Sequence, residues 1–281
     1  MQLRCGSKLL DLSRPVVMGV LNVTPDSFSD GGRFQDVGQA VARGLELLAQ
    51  GAAILDIGGE STRPGAPAVD AAEEARRILP VIERLRSQTA AIISVDTSKP
   101  EIMTAAAAAG ADLINDVRAL LDPRALHAAL RSGCAVCLMH MQGDPRTMQT
   151  SPSYGDVVQE VGAFLHERAQ SCLAAGFAAE RIVVDPGFGF GKTVEHNLQL
   201  LRQLPRLQQV AAGPEQQCWP LLVGLSRKST VGRLTGRELP ERTAGSVALA
   251  VIAALNGAHI VRAHDVAATV DALKVVAAVK E

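Results

Sequence analysis

Aromatic side chains are scarce: the 281 residues include six Phe, one Tyr and one Trp. A Phe inside a glycine-rich loop, as Phe190 is, is therefore a candidate for contact with a flat ligand rather than for ordinary core packing. An excess of charge of either sign is also missing, since 28 Lys and Arg face 29 Asp and Glu for a net charge of −1. That balance removes any general electrostatic attraction to nucleic acid or to an anionic membrane, so any anion site has to be local. No apolar run approaches the roughly 18 residues that span a bilayer. The opening "MQLRCGSKLLDLSRP" has neither the apolar stretch nor the small-residue cleavage site of a signal peptide, and a cytoplasmic location is the resulting expectation. Five scattered cysteines, an odd number, argue against a disulfide framework. "GCAVCLMH" holds Cys134, Cys137 and His140, but in a strand the two cysteines face opposite sides and cannot chelate one metal together.

What is present is a repeated unit. "GAAILDIG", "GADLINDV", "GCAVCLMH" and "GAHIVRAH" each place a glycine before a buried-strand run that ends in polar residues. The glycine suits the left-handed end of a helix, and a continuous Val/Ile/Leu run suits a strand covered on both faces. With "PVVMGVLNVT", "AIISVDTS", "RIVVDPG" and "PLLVGLSRKS" the candidates number eight, separated for the most part by amphipathic segments such as "DAAEEARRILPVIERLRS". Eight alternating strands and helices predict a TIM (β/α)8 barrel, with a doubly wound open sheet as the alternative. No composition break divides residues 1–281, which reads as a single domain; "QQVAAGPEQQCWP" reads as a long surface loop before the seventh strand.

Active sites of such barrels lie at the carboxyl ends of the strands. Those positions hold Asn22, Asp56, Asp96, Asn115 with Asp116, His140, Asp185, Ser226 with Lys228, and Arg262 with His264. Asp96, Asn115 and Asp185 offer acceptors and an amide suited to a flat heterocycle with several N–H groups. Arg63, Lys228, Arg262 and His264 offer donors and positive charge suited to a phosphate-type anion. Asp56, Asp116 and His140 read equally well as loop or helix caps. His127, His166, His196 and His259 read as surface or packing residues, Arg227 as structural and Lys192 as a solvated loop charge. "RIVVDPGFGFGKT", residues 181–193, imitates a nucleotide phosphate loop, but Pro186 occupies the position of the first required glycine and the glycine spacing is wrong for a dinucleotide fingerprint.

"MGVLNVTPDSFSDGG", "DIGGESTRPGA", "SVDTSKPEI", "LINDV", "MHMQGDPRTMQ", "DPGFGFGKT", "GLSRKS" and "VRAHDV" together resemble the dihydropteroate synthase family in order and spacing over nearly the whole chain. The resemblance implies a TIM barrel that joins 6-hydroxymethyl-7,8-dihydropterin diphosphate to p-aminobenzoate, giving 7,8-dihydropteroate and diphosphate. It implies that Asp96, Asn115, Asp185, Lys228 and Arg262 hold the pterin. It assigns Asn22, Thr62, Arg63, Arg262 and His264 to the diphosphate, with Asn22 on a Mg²⁺ ion. Phe28, Thr62, Pro64, Phe190, Ser226 and Lys228 would line the p-aminobenzoate site, and Asp96, Arg63, Lys228, Arg262 and His264 would carry catalysis. A homodimer formed through later helices such as "SVALAVIAALNG" is also implied. Ala263 and Thr230 depart from residues common in the family, although neither is a proposed contact. A methyltetrahydrofolate-binding methyltransferase, a Schiff-base aldolase using Lys228, and a non-catalytic pterin-binding paralogue are the other readings. The first has no need of the diphosphate set, and the last would be expected to have broken motifs where "TPDSFSDGG" and "GESTRPGA" stand intact.

Overall fold

The computed structural model describes residues 1–24, 33–61, 68–144, 147–214 and 216–280, the backbone alone at 33–36. All eight expected strands are present: β3 (Val16–Asn22), β4 (Ile54–Gly58), β5 (Ile92–Asp96), β6 (Leu113–Asp116), β7 (Ala135–Met139), β8 (Ile182–Asp185), β9 (Leu222–Val223) and β10 (Ile260–Ala263). They form one parallel sheet in the order β8-β7-β6-β5-β4-β3-β10-β9. A parallel bridge between Val184 and Leu221, with the Val184 N–H 3.0 Å from the Pro220 carbonyl, joins β8 to the chain entering β9 and brings the sheet round into a barrel. The glycine before β7 does what its position suggested: Gly133 closes the helix Pro123–Ser132 in the left-handed conformation, at φ 74°.

Successive strand residues alternate between the barrel interior and the helices around it, and this period of two builds the molecule in layers. Leu55, Ile57, Ile93, Val95, Ile114, Val136, Leu138, Val184 and Val261 point outward into the large core shared with the helices. Met18, Ile54, Ile92, Leu113, Val183 and Ile260 point inward and fill the bottom of the barrel. Two residues further up these strands the inward set becomes Val20, Asp56, Ser94, Asn115, Asp185 and Arg262. The apolar floor therefore gives way to a polar layer within one pleat.

Three details differ from expectation. An antiparallel hairpin, β1 (Gln2–Cys5) with β2 (Lys8–Asp11), precedes the barrel, and its Leu3 and Cys5 join Leu12 and the inward-facing floor residues in one buried cluster. Four-residue strands with one buried face give little sequence signal, yet the open bottom of a barrel needs such a cover. β9 spans only Leu222–Val223, so Ser226 and Lys228 lie in the turn beyond it. "QQVAA" is not loop but the end of α7 (Leu204–Ala212), and Trp219, buried after it, donates its indole N–H to the Ala211 carbonyl at 3.1 Å.

Asp112 pins the hairpin to the barrel by accepting from Lys8 Nζ at 2.8 Å, from Arg86 and from the Ile93 N–H at 2.9 Å. Asp112→Ala leaves the buried Ile93 N–H without its acceptor and takes the carboxylate from Lys8 and Arg86, which keep backbone carbonyls as partners. It is expected to cost about 3 kcal/mol of stability in urea unfolding while leaving turnover at low temperature intact. Among the described residues no helix is long and apolar enough to cross a membrane.

Candidate active site

The polar layer is organised around Arg262. Its Nε donates to Asp56 Oδ2 at 2.6 Å and its Nη2 to Asp96 Oδ2 at 3.0 Å. Asp56 is wholly buried and also accepts from Ser94 Oγ at 2.6 Å and Asn115 Nδ2 at 3.2 Å. Its acceptors are thus committed inside the protein, and its job is to aim Arg262 and Asn115. Burial alone would favour loss of the Arg262 proton, but Asp56, Asp96 and Asp185 more than offset this and hold its pKa above the usual value.

Asp96, at the top of β5, keeps one oxygen uncommitted to Arg262. Burial pushes its carboxyl up to about 7 against the pull of Arg262, with Asp56, Glu74 and Asp116 adding to the rise. Gly58 separates Asp96 from Asn22: a Cβ on that glycine would lie 3.5 Å from Asp96 Cβ and 3.9 Å from Asn22 Oδ1. Asp185, at the top of β8, accepts the Gly187 N–H at 2.7 Å, and its carboxyl is raised by burial against the opposing effect of Lys228. Lys228 donates to the Phe188 carbonyl and stands 4.6 Å from the centre of the Phe190 ring. Burial brings its amine down to about 8, while Asp185 works the other way. Ser226 accepts from the His264 N–H at 3.2 Å and lies 3.1 Å from His264 Nδ1.

The structure thus gathers Asp96, Asn115, Asp185, Lys228 and Arg262 in one layer, with Phe190 beside Lys228, Asn22 beside Asp96, and the Ser226–His264 pair at the turn after β9. Phe28, Thr62, Arg63 and Pro64 lie outside the described residues. Asp116 does not belong to the set. It follows Asn115 by one residue, so it faces outward, and it caps the next turn by accepting from Ser98 Oγ, the Arg118 N–H at 2.9 Å and the Leu120 N–H at 2.8 Å. Arg227 adopts a left-handed φ of 58° that turns it from the site into a pair with Asp265, Nε to Oδ2 3.0 Å. Cys134 belongs to the outer core and Cys137 to the barrel interior, so strand parity separates them as expected.

Lys192 corrects the sequence reading. It is not a solvated loop charge: it is buried, with burial driving its amine well below the usual range. Its Nζ lies 2.9 Å from His140 Nδ1 and 3.0 Å from each of the Gly187 and Phe190 carbonyls. His140, pushed down to about 2 by burial and by the neighbouring lysine, is a neutral acceptor and no acid–base catalyst at ordinary pH. The glycines serve this packing, since a Cβ at Gly187 would stand 1.9 Å from the His140 carbonyl oxygen. A phosphate loop turns N–H groups and a lysine toward its ligand. This one turns carbonyls inward onto its lysine.

Glu74 was not singled out from the sequence. It is wholly buried on α2 (Ala71–Arg86), where it accepts from Lys99, which also donates to Glu60. Its other oxygen, Oε1, has no partner among the described residues. The signal was available, because Glu74 continues the helical stripe of Ile78, Val81, Ile82 and Leu85.

Known proteins match the chain over nearly its full length. The family model described as pterin binding enzyme matches residues 18–264. A dihydropteroate synthase of Escherichia coli K12 is 50% identical over 278 residues, covering 99% of this chain and 96% of its own. Among solved structures, a Xanthomonas albilineans dihydropteroate synthase with 4-aminobenzoic acid superposes with a TM-score of 0.91 at 55% identity, covering 99% of this chain and 98% of that one. The X. albilineans enzyme in complex with 7,8-dihydropteroate gives 0.89 at 52% identity, with 100% and 99% covered.

Proposed function

The chain belongs to the pterin-binding enzymes, among the dihydropteroate synthases, and on that premise we propose what its own residues do in joining 6-hydroxymethyl-7,8-dihydropterin diphosphate to p-aminobenzoate. The observation that carries the reading is the single polar layer in which Asp96, Asn115 and Asp185 face Lys228 and Arg262. Asp185 accepts the two N–H groups of the pterin's amidine edge, Asn115 and Asp96 bond the rest of the ring, and Lys228 donates to it. Arg262 and His264, with Arg63 and Thr62, hold the diphosphate. Phe190, Ser226 and Lys228, with Phe28, Thr62 and Pro64, receive p-aminobenzoate, Ser226 near its carboxylate.

These cations stabilise the charge that develops on diphosphate as it leaves, so the carbon–oxygen bond breaks before the amine attacks. The pterin methylene is then a delocalised cation, and Asp96 steadies it from beside the ring. No side-chain nucleophile or strong base is needed, because an aromatic amine is already neutral at pH 7 and the anilinium formed by its attack is acidic enough to give its proton to water.

Asn22 offers one neutral oxygen at the top of β3, and no group of three His, Cys, Asp or Glu among the described residues could hold a metal. The Asn22 amide oxygen is a hard, neutral donor of the kind Mg²⁺ takes, and Asn22 would hold such an ion at the diphosphate. When bound, such an ion supplies neutralising charge to the leaving group. A homodimer through the later helices would cover side chains now exposed there, Ile252 and Leu255 on the helix Thr243–Leu255 and Val275 and Val279 on the helix Val266–Lys280.

The test is turnover with both substrates and Mg²⁺, following dihydropteroate and diphosphate together. Equal, EDTA-sensitive formation of both products is expected. Binding of the pterin diphosphate without either product would return the chain to the non-catalytic reading.

A further inference from the structure

Lys192 has no part in the roles above, yet the loop after β8 is wrapped around it. The carbonyls of Gly187 and Phe190, each 3.0 Å from its Nζ, come from the two ends of a four-residue turn. His140 supplies the third partner, Nδ1 at 2.9 Å, and its own N–H donates to the Asp185 carbonyl at 2.9 Å, tying the end of β7 to the end of β8. Three further bonds fasten the turn from outside: Gly189 N–H to Asn197 Oδ1 at 2.8 Å, Tyr154 Oη to the Gly191 carbonyl at 2.8 Å, and Gln149 Nε2 to the Gly189 carbonyl. Between the two carbonyls gathered by Lys192 stand the Phe188 carbonyl, which accepts from Lys228, and immediately after it the segment that lays the Phe190 ring 4.6 Å from Lys228 Nζ.

We propose that Lys192 is a positioning residue for both substrates: by drawing the Gly187 and Phe190 carbonyls to one point, it sets the curl on which the placement of Lys228 and Phe190 depends, without touching either substrate. The proposal rests on the reading of Lys228 and Phe190 as substrate contacts. Substrate contacts held in place by supporting residues bind more weakly when that support is loosened, because the ordering cost then falls on binding.

Lys192→Met keeps the chain length and removes the donors. In the folded protein it is expected to raise KM for p-aminobenzoate and for the pterin diphosphate by about tenfold each. A residue needed only for folding would lower the melting temperature and the fraction of competent enzyme, and with it apparent kcat, while leaving both KM values unchanged; that result overturns the proposal. His140→Leu, which removes one acceptor and leaves Lys192 in place, is expected to move both KM values the same way by about threefold. It decides the matter if Lys192→Met does not fold, and unchanged KM values in it are equally fatal. Lys228→Met separates the two levels. If it leaves both KM values unchanged, the substrate reading fails; if it raises them and Lys192→Met does not, only the positioning role fails.

Discussion

Replacing Asp96 by Asn is expected to lower kcat by about 10²–10³-fold, the scale seen when one preorganised charge-stabilising group is removed from a transition state. Pterin affinity should fall by less than about tenfold, because the amide still occupies the place and can still accept a hydrogen bond. The inequality follows from the geometry. Arg262, itself held by Asp56, fixes one oxygen of Asp96 and leaves the other uncommitted to it; a neutral ligand gains little from that charge and a cation gains much. The same residue sets a pH dependence. Its carboxyl, raised to about 7, must lose a proton to act, and Lys228, lowered to about 8, must keep one. In kcat/KM for the pterin diphosphate, activity is therefore expected to rise with pH through about 7 and fall through about 8. Asp96→Asn should remove the acid limb near 7 and leave the alkaline limb. Equal losses of turnover and pterin binding, or an acid limb that persists unchanged, would take Asp96 out of this role.

Arg262→Met is expected to cost both activity and fold. Asp56 has no exposed surface, and without the guanidinium its side-chain donors among the described residues are Ser94 and Asn115, too few for a buried charge. Removing one partner of such a pair costs about 3–5 kcal/mol, more than the pair itself contributes. Urea unfolding should show the loss, and Asp56→Asn placed in the same chain should recover part of it by removing the stranded charge. Turnover should not recover in the double variant, since Arg262 also faces Asp96 and the anion site. A single variant as stable as the wild type would show that Arg262 is not the keystone of the layer.

The barrel was legible because parallel strands buried on both faces cannot hide: their apolar runs are continuous, and the polar residues fall where the runs stop. Asp56 and Asp116 show where that reading lost resolution. Asp116 ends β6 and Asp56 lies two residues short of the end of β4, but counting by two from Ile54 puts Asp56 inside, and counting by two from Ile114 puts Asp116 outside. Parity alone would have separated the site residue from the cap. Glu74 was likewise visible as a charge on an apolar helical stripe. The burial of Lys192 was not legible, because a lysine after three glycines is ordinary in an exposed loop, and only the tertiary approach of His140 and the folded-in carbonyls makes it a core residue. The hairpin under the barrel was hidden for a similar reason. Its strands are too short to announce themselves, and what fixes them is the apolar floor they cover.

The order of bond breaking is the claim on which the roles of Asp96, Arg262 and Lys228 all rest. It is tested most directly by single-turnover measurements that follow diphosphate and dihydropteroate separately across a series of p-aminobenzoates of differing amine basicity. If the carbon–oxygen bond breaks first, the rate of diphosphate release stays constant across the series while the partition to dihydropteroate changes. If diphosphate release instead tracks the basicity of the amine, attack and departure are one step, and the cation that Asp96 is said to steady does not form.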